Sequence, residues 1–164
     1  MSAKKVFEGK HVIVLSEGDW EFVERKTAKE AVAIVAVTDD DRLILTEQLR
    51  VPVNARVIDL PAGLIEEFGA EETARRELEE ETGFTCDRLK LLATAPTSPG
   101  ITSEIVHFYR ATKLRRQGKG GGVGGEDITV HEVPFRDVER WLRSQRALID
   151  TKIWAGLYFA TQST

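Results

Sequence analysis

Residues 75–84 read RRELEEETGF, and four of those ten positions are glutamates: Glu77, Glu79, Glu80 and Glu81. Like charges three or four apart on a helix repel by roughly 0.2–0.5 kcal/mol per pair, so such crowding needs a cause. At about 100° per residue, with Glu77 at zero, Glu80 falls at about −60° and Glu81 at about +40°. Ala70, Ala74 and Leu78 make an adjacent apolar stripe that can pack on a sheet, while Glu79 points away to solvent. Three carboxylates therefore converge at the edge of a buried face. Two readings stand side by side. Arg75 and Arg76 can neutralise the acids as ordinary ion pairs, or a hard divalent cation such as Mg²⁺ or Mn²⁺ gathers them as oxygen ligands. Gly83 supplies a left-handed C-terminal cap, so the spacing predicts a helix over 70–82.

Around that helix the chain reads as short strands. HVIVLSEGDWEFVERK (11–26) is a hairpin pattern about a Ser-Glu-Gly-Asp turn. The run from Ala31 to Val37 is uniformly apolar, as in a central strand covered on both faces, and RLILTEQ resumes beyond an acidic turn. VIDLPAGLIE (57–66) is a strand broken by Pro61 and Gly63. Further strands follow at 89–99, 104–114 and 128–135. Between the last two lies QGKGGGVGGED, with six glycines in eleven residues, a composition expected to be too flexible for a regular element. Val138, Trp141, Leu142 and Leu148 recur at helical spacing over 136–149, and Asp150 can cap a final helix through IWAGLYFA. Strands with interspersed helices make this an α+β chain, a mixed sheet with helices packed on it.

Composition narrows the function classes. A net charge of −4 disfavours nucleic acid and acidic membrane surfaces as partners, since both repel an acidic protein. MSAKKVFEGK is polar, and no apolar run approaches the ~20 residues that span a bilayer, so a soluble cytoplasmic protein is expected. The single cysteine, Cys86, fits a reducing compartment and reads as a semi-buried side chain. His11, His107 and His131 sit inside strand patterns and read as structural, and Trp141 and Trp154 as core or interface.

Gly63, Arg76-Glu77-Leu78, Glu80-Glu81 and Gly83-Phe84 together resemble the signature box of the Nudix hydrolases. RELEEETGF matches its second half position for position. The loop departs from the pattern: Gly63 and Arg76 are one residue too close, and Gly69 stands where a glutamate is expected, leaving Glu67 or Glu71 as its substitute. EQLR (47–50), LPAGLIE (60–66) and TSPG (97–100) with Glu104 resemble the branch that cleaves ADP-ribose and other nucleoside diphosphate sugars. GGGVGGEDITVHEVPF (120–135) is similar to the GDP-mannose pyrophosphatases, although Gly124 and Gly125 replace acids of that subgroup.

The resemblance implies an α/β/α sandwich with a mixed sheet, preceded by an antiparallel extension over 1–30 that serves dimerisation, with the Nudix domain over 31–164. It further implies metal ligation by the carbonyl of Ala62 and the carboxylates of Glu77, Glu80 and Glu81, with Mg²⁺ or Mn²⁺ as cofactor. Glu126, on the glycine-rich loop, becomes the general base, with Asp127 as its stand-in, and Arg76 and Glu80 complete the catalytic set. Arg50, Arg56 and Glu104 are candidate substrate contacts, Arg50 equally readable as a surface ion pair. Trp20 and Phe22 share one side of a strand and either flank the base or pack a homodimer. The implied activity is hydrolysis of a nucleotide-sugar pyrophosphate, ADP-ribose first and GDP-mannose second. Its rival is a non-catalytic nucleotide-sugar regulator on the same scaffold.

Overall fold

In a computed structural model of the chain, residues 3–162 are described; Met1, Ser2, Ser163 and Thr164, at the outer ends of the two expected regions, lie outside them. The centre is β4 (Glu30–Val37), with every residue from Ala31 to Val37 buried. Its alternating side chains go to opposite faces. Ala33, Val35 and Val37 pack with Leu142 and Ile153, whereas Val32, Ile34 and Ala36 pack with Ala74 and Leu78. That two-sided covering explains the unbroken apolar run. One face carries α1 (Ala70–Thr82), and the other α2 (Val138–Ser144) and α3 (Thr151–Thr161). The α/β/α sandwich predicted from sequence is the architecture observed.

β4 runs parallel to β9 (Ile105–Arg116) and antiparallel to both β5 (Arg42–Arg50) and β7 (Ala62–Leu64). β9 pairs with β8 (Phe84–Pro96) through a bulge near Leu92. β5 is flanked on two edges, since Glu47 stands opposite both Ile58 of β6 (Ala55–Asp59) and Thr129 of β10 (Thr129–Pro134). β11 (Leu148–Ile149) adds a parallel edge to β6. The helix expected over 136–149 is therefore corrected: it stops at Ser144, and Leu148 lies in a strand with half its surface exposed. Backbone pairing with Val57 and Ile58 overrides the local periodicity there.

The helix over 70–82 is as the spacing predicts, with Gly83 at φ 74° and its N–H donating to the Glu79 carbonyl. Asp150 caps α3, its side chain accepting from the Lys152 N–H. Trp141 lies against His131 with the two rings tilted by 58°, whereas Trp154 remains substantially exposed. The N-terminal sheet joins β1 (Lys4–Glu8), which the sequence reading did not separate, to the expected hairpin β2 (Val12–Glu17) and β3 (Trp20–Arg25). None of those strand residues is buried. The sheet meets the rest of the chain through the Val23 N–H to the Ile101 carbonyl at 2.8 Å and Arg25 to Glu104 at 2.9 Å.

Candidate active site

The break predicted at Pro61–Gly63 brings two pieces of chain together. The Pro61 carbonyl accepts from Ile34 N–H at 2.9 Å, pinning the start of β7 to β4 beneath α1. Glu77 lies directly against Gly63, where an added Cβ would fall 2.0 Å from the Glu77 carboxyl carbon. Only glycine leaves room for that side chain. One turn on, Glu81 is 5% exposed and accepts from the Ala62 N–H at 3.1 Å. Burial, reinforced by the charges of Glu77, Glu126 and Asp59 and opposed by the Ala62 N–H, pushes its carboxyl up to about 8. Burial also raises Glu77 against the opposing Arg76 guanidinium, with Glu80 and Glu126 adding to the rise.

The glycine-rich stretch does not hang free. Gly121 and Gly122 N–H groups donate to the carbonyls of Glu81 and Glu80 at 2.8 and 3.0 Å, and those of Gln117 and Gly118 to Gly83 at 2.8 and 3.1 Å. The last carbonyls of a helix need outside donors, and this loop supplies them. The close approach requires glycine: at Gly120, φ 66°, a Cβ would sit 2.4 Å from the Thr82 carbonyl carbon. Glu126, whose Oε2 accepts from the Val123 N–H at 3.1 Å, thereby joins Glu77 and Glu81.

These acids line a cavity of about 900 Å³ with Arg25, Arg50, Asp59, Ala62, Gly63, Arg76, Glu104 and Lys152. Arg50 reaches Asp59 at 3.8 Å, and Glu104 accepts from Arg25 and from Thr97 Oγ1 at 3.4 Å. Other predicted residues are placed differently. The Glu80 carboxylate is held by Arg76 at 2.6 Å, and Arg76 also holds Glu77 at 2.6 Å. Arg56 does not line the cavity; its guanidinium is taken up by Glu47, Asp127 and Thr129. Trp20 and Phe22 line a separate pocket of about 310 Å³ with Glu17, Pro99, Thr102 and Ser103.

Among the described residues no three His, Cys, Asp or Glu side chains form a ready-made cage for a metal. The donor set nevertheless fits one hard cation. Glu81 is buried and Glu77 largely so, both are raised by burial and by neighbouring acids, and a divalent ion replaces that repulsion with coordination.

Sequence reasoning missed Asp59 and Lys152, and read Asp150 only as a helix cap. Asp59 is 1% exposed and raised by burial; its Oδ2 makes no well-aligned hydrogen bond, but Lys152 Nζ stands 3.0 Å away. Burial alone would lower Lys152, yet Asp59 and Asp150, the latter at 2.7 Å, hold it above its usual range. A signal existed. A lysine in the first turn of a helix opposes the macrodipole, which calls for nearby acids.

Comparisons with known proteins show what the chain is similar to. A family model described as the NUDIX domain matches residues 27–155. The chain is 36% identical to the ADP-ribose pyrophosphatase of Bacillus subtilis (strain 168), over 93% of its own length and 86% of the relative's. It is 29% identical to the methanol dehydrogenase activator of Bacillus methanolicus, covering 99% and 92%. It is also 37% identical to a GDP-mannose pyrophosphatase of Pectobacterium atrosepticum, there covering 58% of this chain and 53% of the relative. A solved structure described as an ADP compounds hydrolase superposes with a TM-score of 0.76 at 20% identity, over 99% of this chain and 91% of that one, a likeness of fold.

Proposed function

The chain belongs to the Nudix family, and from that premise we propose that it hydrolyses the pyrophosphate bond of a nucleoside diphosphate sugar. ADP-ribose is the preferred substrate and GDP-mannose the second, giving a nucleoside monophosphate and a sugar phosphate. The observation that carries this reading is the convergence of Glu77, Glu81 and Glu126 with Arg50 on one cavity. The relatives named above for ADP-ribose and GDP-mannose cleavage support the choice of substrate.

A diphosphate repels its nucleophile, so the site must offset negative charge before water can attack. Glu77, Glu81 and the backbone of Ala62 would hold Mg²⁺ or Mn²⁺, with Glu80 joining when Arg76 releases it. When bound, such an ion neutralises phosphate charge and acidifies water. The chain's own groups do the rest. Glu126 takes the proton of the attacking water, the new P–O bond forms and the bridging P–O bond breaks. Arg50 pairs with a diphosphate oxygen through its guanidinium fork. Trp20 and Phe22 offer aromatic faces for the base from the N-terminal sheet.

That sheet, formed by strands between Lys4 and Arg25, lies within the expected extension over 1–30 and serves dimerisation beside the domain of 31–164. Val6, Phe7 and Trp20 are each more than half exposed, and β1, β2 and β3 contain no buried residue, so a second copy is the natural cover. Light scattering coupled to gel filtration tests the homodimer. No helix among the described residues is long and apolar enough to cross a membrane. A cytoplasmic location is our proposal, supported by the single cysteine, Cys86, which suits a reducing compartment.

A regulatory reading has one observation in its favour, the activator relative that matches over 99% of the chain. Incubating the protein with a panel of nucleotide sugars and Mg²⁺, with products identified by mass, decides between the two. Turnover lost in Glu81→Gln and Glu126→Gln supports the hydrolase. Binding without turnover of any panel member supports the regulator.

A further inference from the structure

We propose that Arg56 is a positioning residue that fixes the acid-bearing loop, and with it Glu126, against the active site. The proposal rests on the reading of Glu126 as general base. The loop is anchored at its N-terminal side by the four backbone hydrogen bonds to Glu80, Glu81 and Gly83 described above. In its middle, Val123–Glu126 close a turn in which the Glu126 N–H donates to the Val123 carbonyl at 3.3 Å, and a Cβ at Gly124 or Gly125 would meet nothing within 4 Å. Gly124 and Gly125 thus have open space at their Cβ positions, and the placing of the acid beside them depends on how the two ends of the segment are held.

Past the C-terminal end Ile128 is buried and Thr129 pairs with Glu47 of β5, and one side chain reaches Asp127 in the loop itself. Arg56 Nη1 donates to Asp127 Oδ2 at 3.1 Å, the residue next to Glu126, and Nη2 donates to Thr129 Oγ1 at 3.3 Å, the first residue of β10. The same guanidinium is locked from behind on β5: Nε donates to Glu47 Oε1 at 2.7 Å and Nη2 to the Glu47 carbonyl at 3.0 Å. Glu47 is itself steadied by His131 Nε2 at 2.8 Å. All three guanidinium nitrogens are thus engaged between a fixed strand and the loop. A planar fork can do this; a single ammonium cannot span both partners. An exposed Arg–Asp pair alone carries little stability. Its role here is geometric: it sets where the chain leaves the loop, one residue from the acid that must reach the water.

The test compares wild type with Arg56→Ala and Arg56→Lys in ADP-ribose hydrolysis with Mg²⁺, alone and in the Glu126→Gln background, together with amide hydrogen exchange of 121–128. The proposal predicts kcat lower by roughly 10- to 100-fold in Arg56→Ala, as expected for a misplaced catalytic group. KM stays within about twofold, because no substrate contact is removed. Exchange of the loop amides accelerates while that of β4 is unchanged, Arg56→Lys restores little, and Arg56→Ala has no further effect once Glu126 is Gln. A raised KM at unchanged kcat would make Arg56 a direct substrate contact and overturn the proposal. So would an equal loss in both backgrounds, or unaltered loop exchange. If Glu126→Gln keeps full turnover, the base assignment fails, and loop exchange alone then decides whether Arg56 is the anchor.

Discussion

Neutralising Glu81 by Glu81→Gln should stabilise the metal-free protein at alkaline pH while abolishing turnover. The folded-state carboxyl titrates at about 8 against an ordinary value of 4.5, because it is buried among other acids. The sign follows from proton counting. Between 4.5 and 8 the native state holds a proton that the unfolded chain has released, so stability is full below 4.5 and declines as pH rises toward 8. One pKa unit corresponds to about 1.4 kcal/mol, which gives a loss of at most about 5 kcal/mol across the whole window, and about 3 kcal/mol between pH 5.5 and 8. That is a large share of the roughly 5–15 kcal/mol that holds a domain together. Glu77 and Asp59, also raised by burial, add in the same direction.

Urea unfolding in EDTA from pH 5.5 to 8.5 measures this directly for wild type and Glu81→Gln. Wild type should lose stability with rising pH, and the variant should lose distinctly less. Saturating Mg²⁺ should stabilise wild type more at pH 8 than at pH 5.5, since proton and cation compete for the same carboxylates. Identical slopes for wild type and variant, or wild-type stability that rises over this range in EDTA, would refute the electrostatic account of the site.

Gly63→Ala should cost most of the turnover with a modest loss of stability, because its Cβ would land 2.0 Å from the Glu77 carboxyl carbon and displace that ligand; steady-state kinetics with a thermal melt separates the two effects. Leu78→Ala, at a fully buried position on the core face of α1, should lower unfolding free energy by about 2–5 kcal/mol, read by urea titration. Lys152→Met leaves buried Asp59 without its nearest cation, and should destabilise by about 3–5 kcal/mol at pH 8, partly restored by adding Asp59→Asn.

What the sequence made legible was whatever depends on spacing. The arc of Glu77, Glu80 and Glu81, the cap at Gly83 and the two-faced strand at 31–37 follow from periods of 3.6 and 2, and the structure realises them. Long-range pairing was not legible. Nothing local says that Leu148 must join β6, or that Arg56 faces Asp127 across 71 residues of chain. The loop 117–127 forms no regular element, as its composition predicts, but its attachment to α1 was not legible. A glycine count records the freedom of an isolated segment, and freedom was the natural reading. The same glycines permit the positive φ at 120, 121 and 122 and the contacts with Thr82 and Glu126 that side chains would forbid. Composition cannot separate these uses, because backbone that is free in solution is also backbone that can pack closest. Here the hydrogen bonds decide it. A loop whose amides complete the end of α1 is pinned to that helix on its N-terminal side, so the placing of the acid beyond it turns on the anchor that Arg56 makes with Asp127 on the other side.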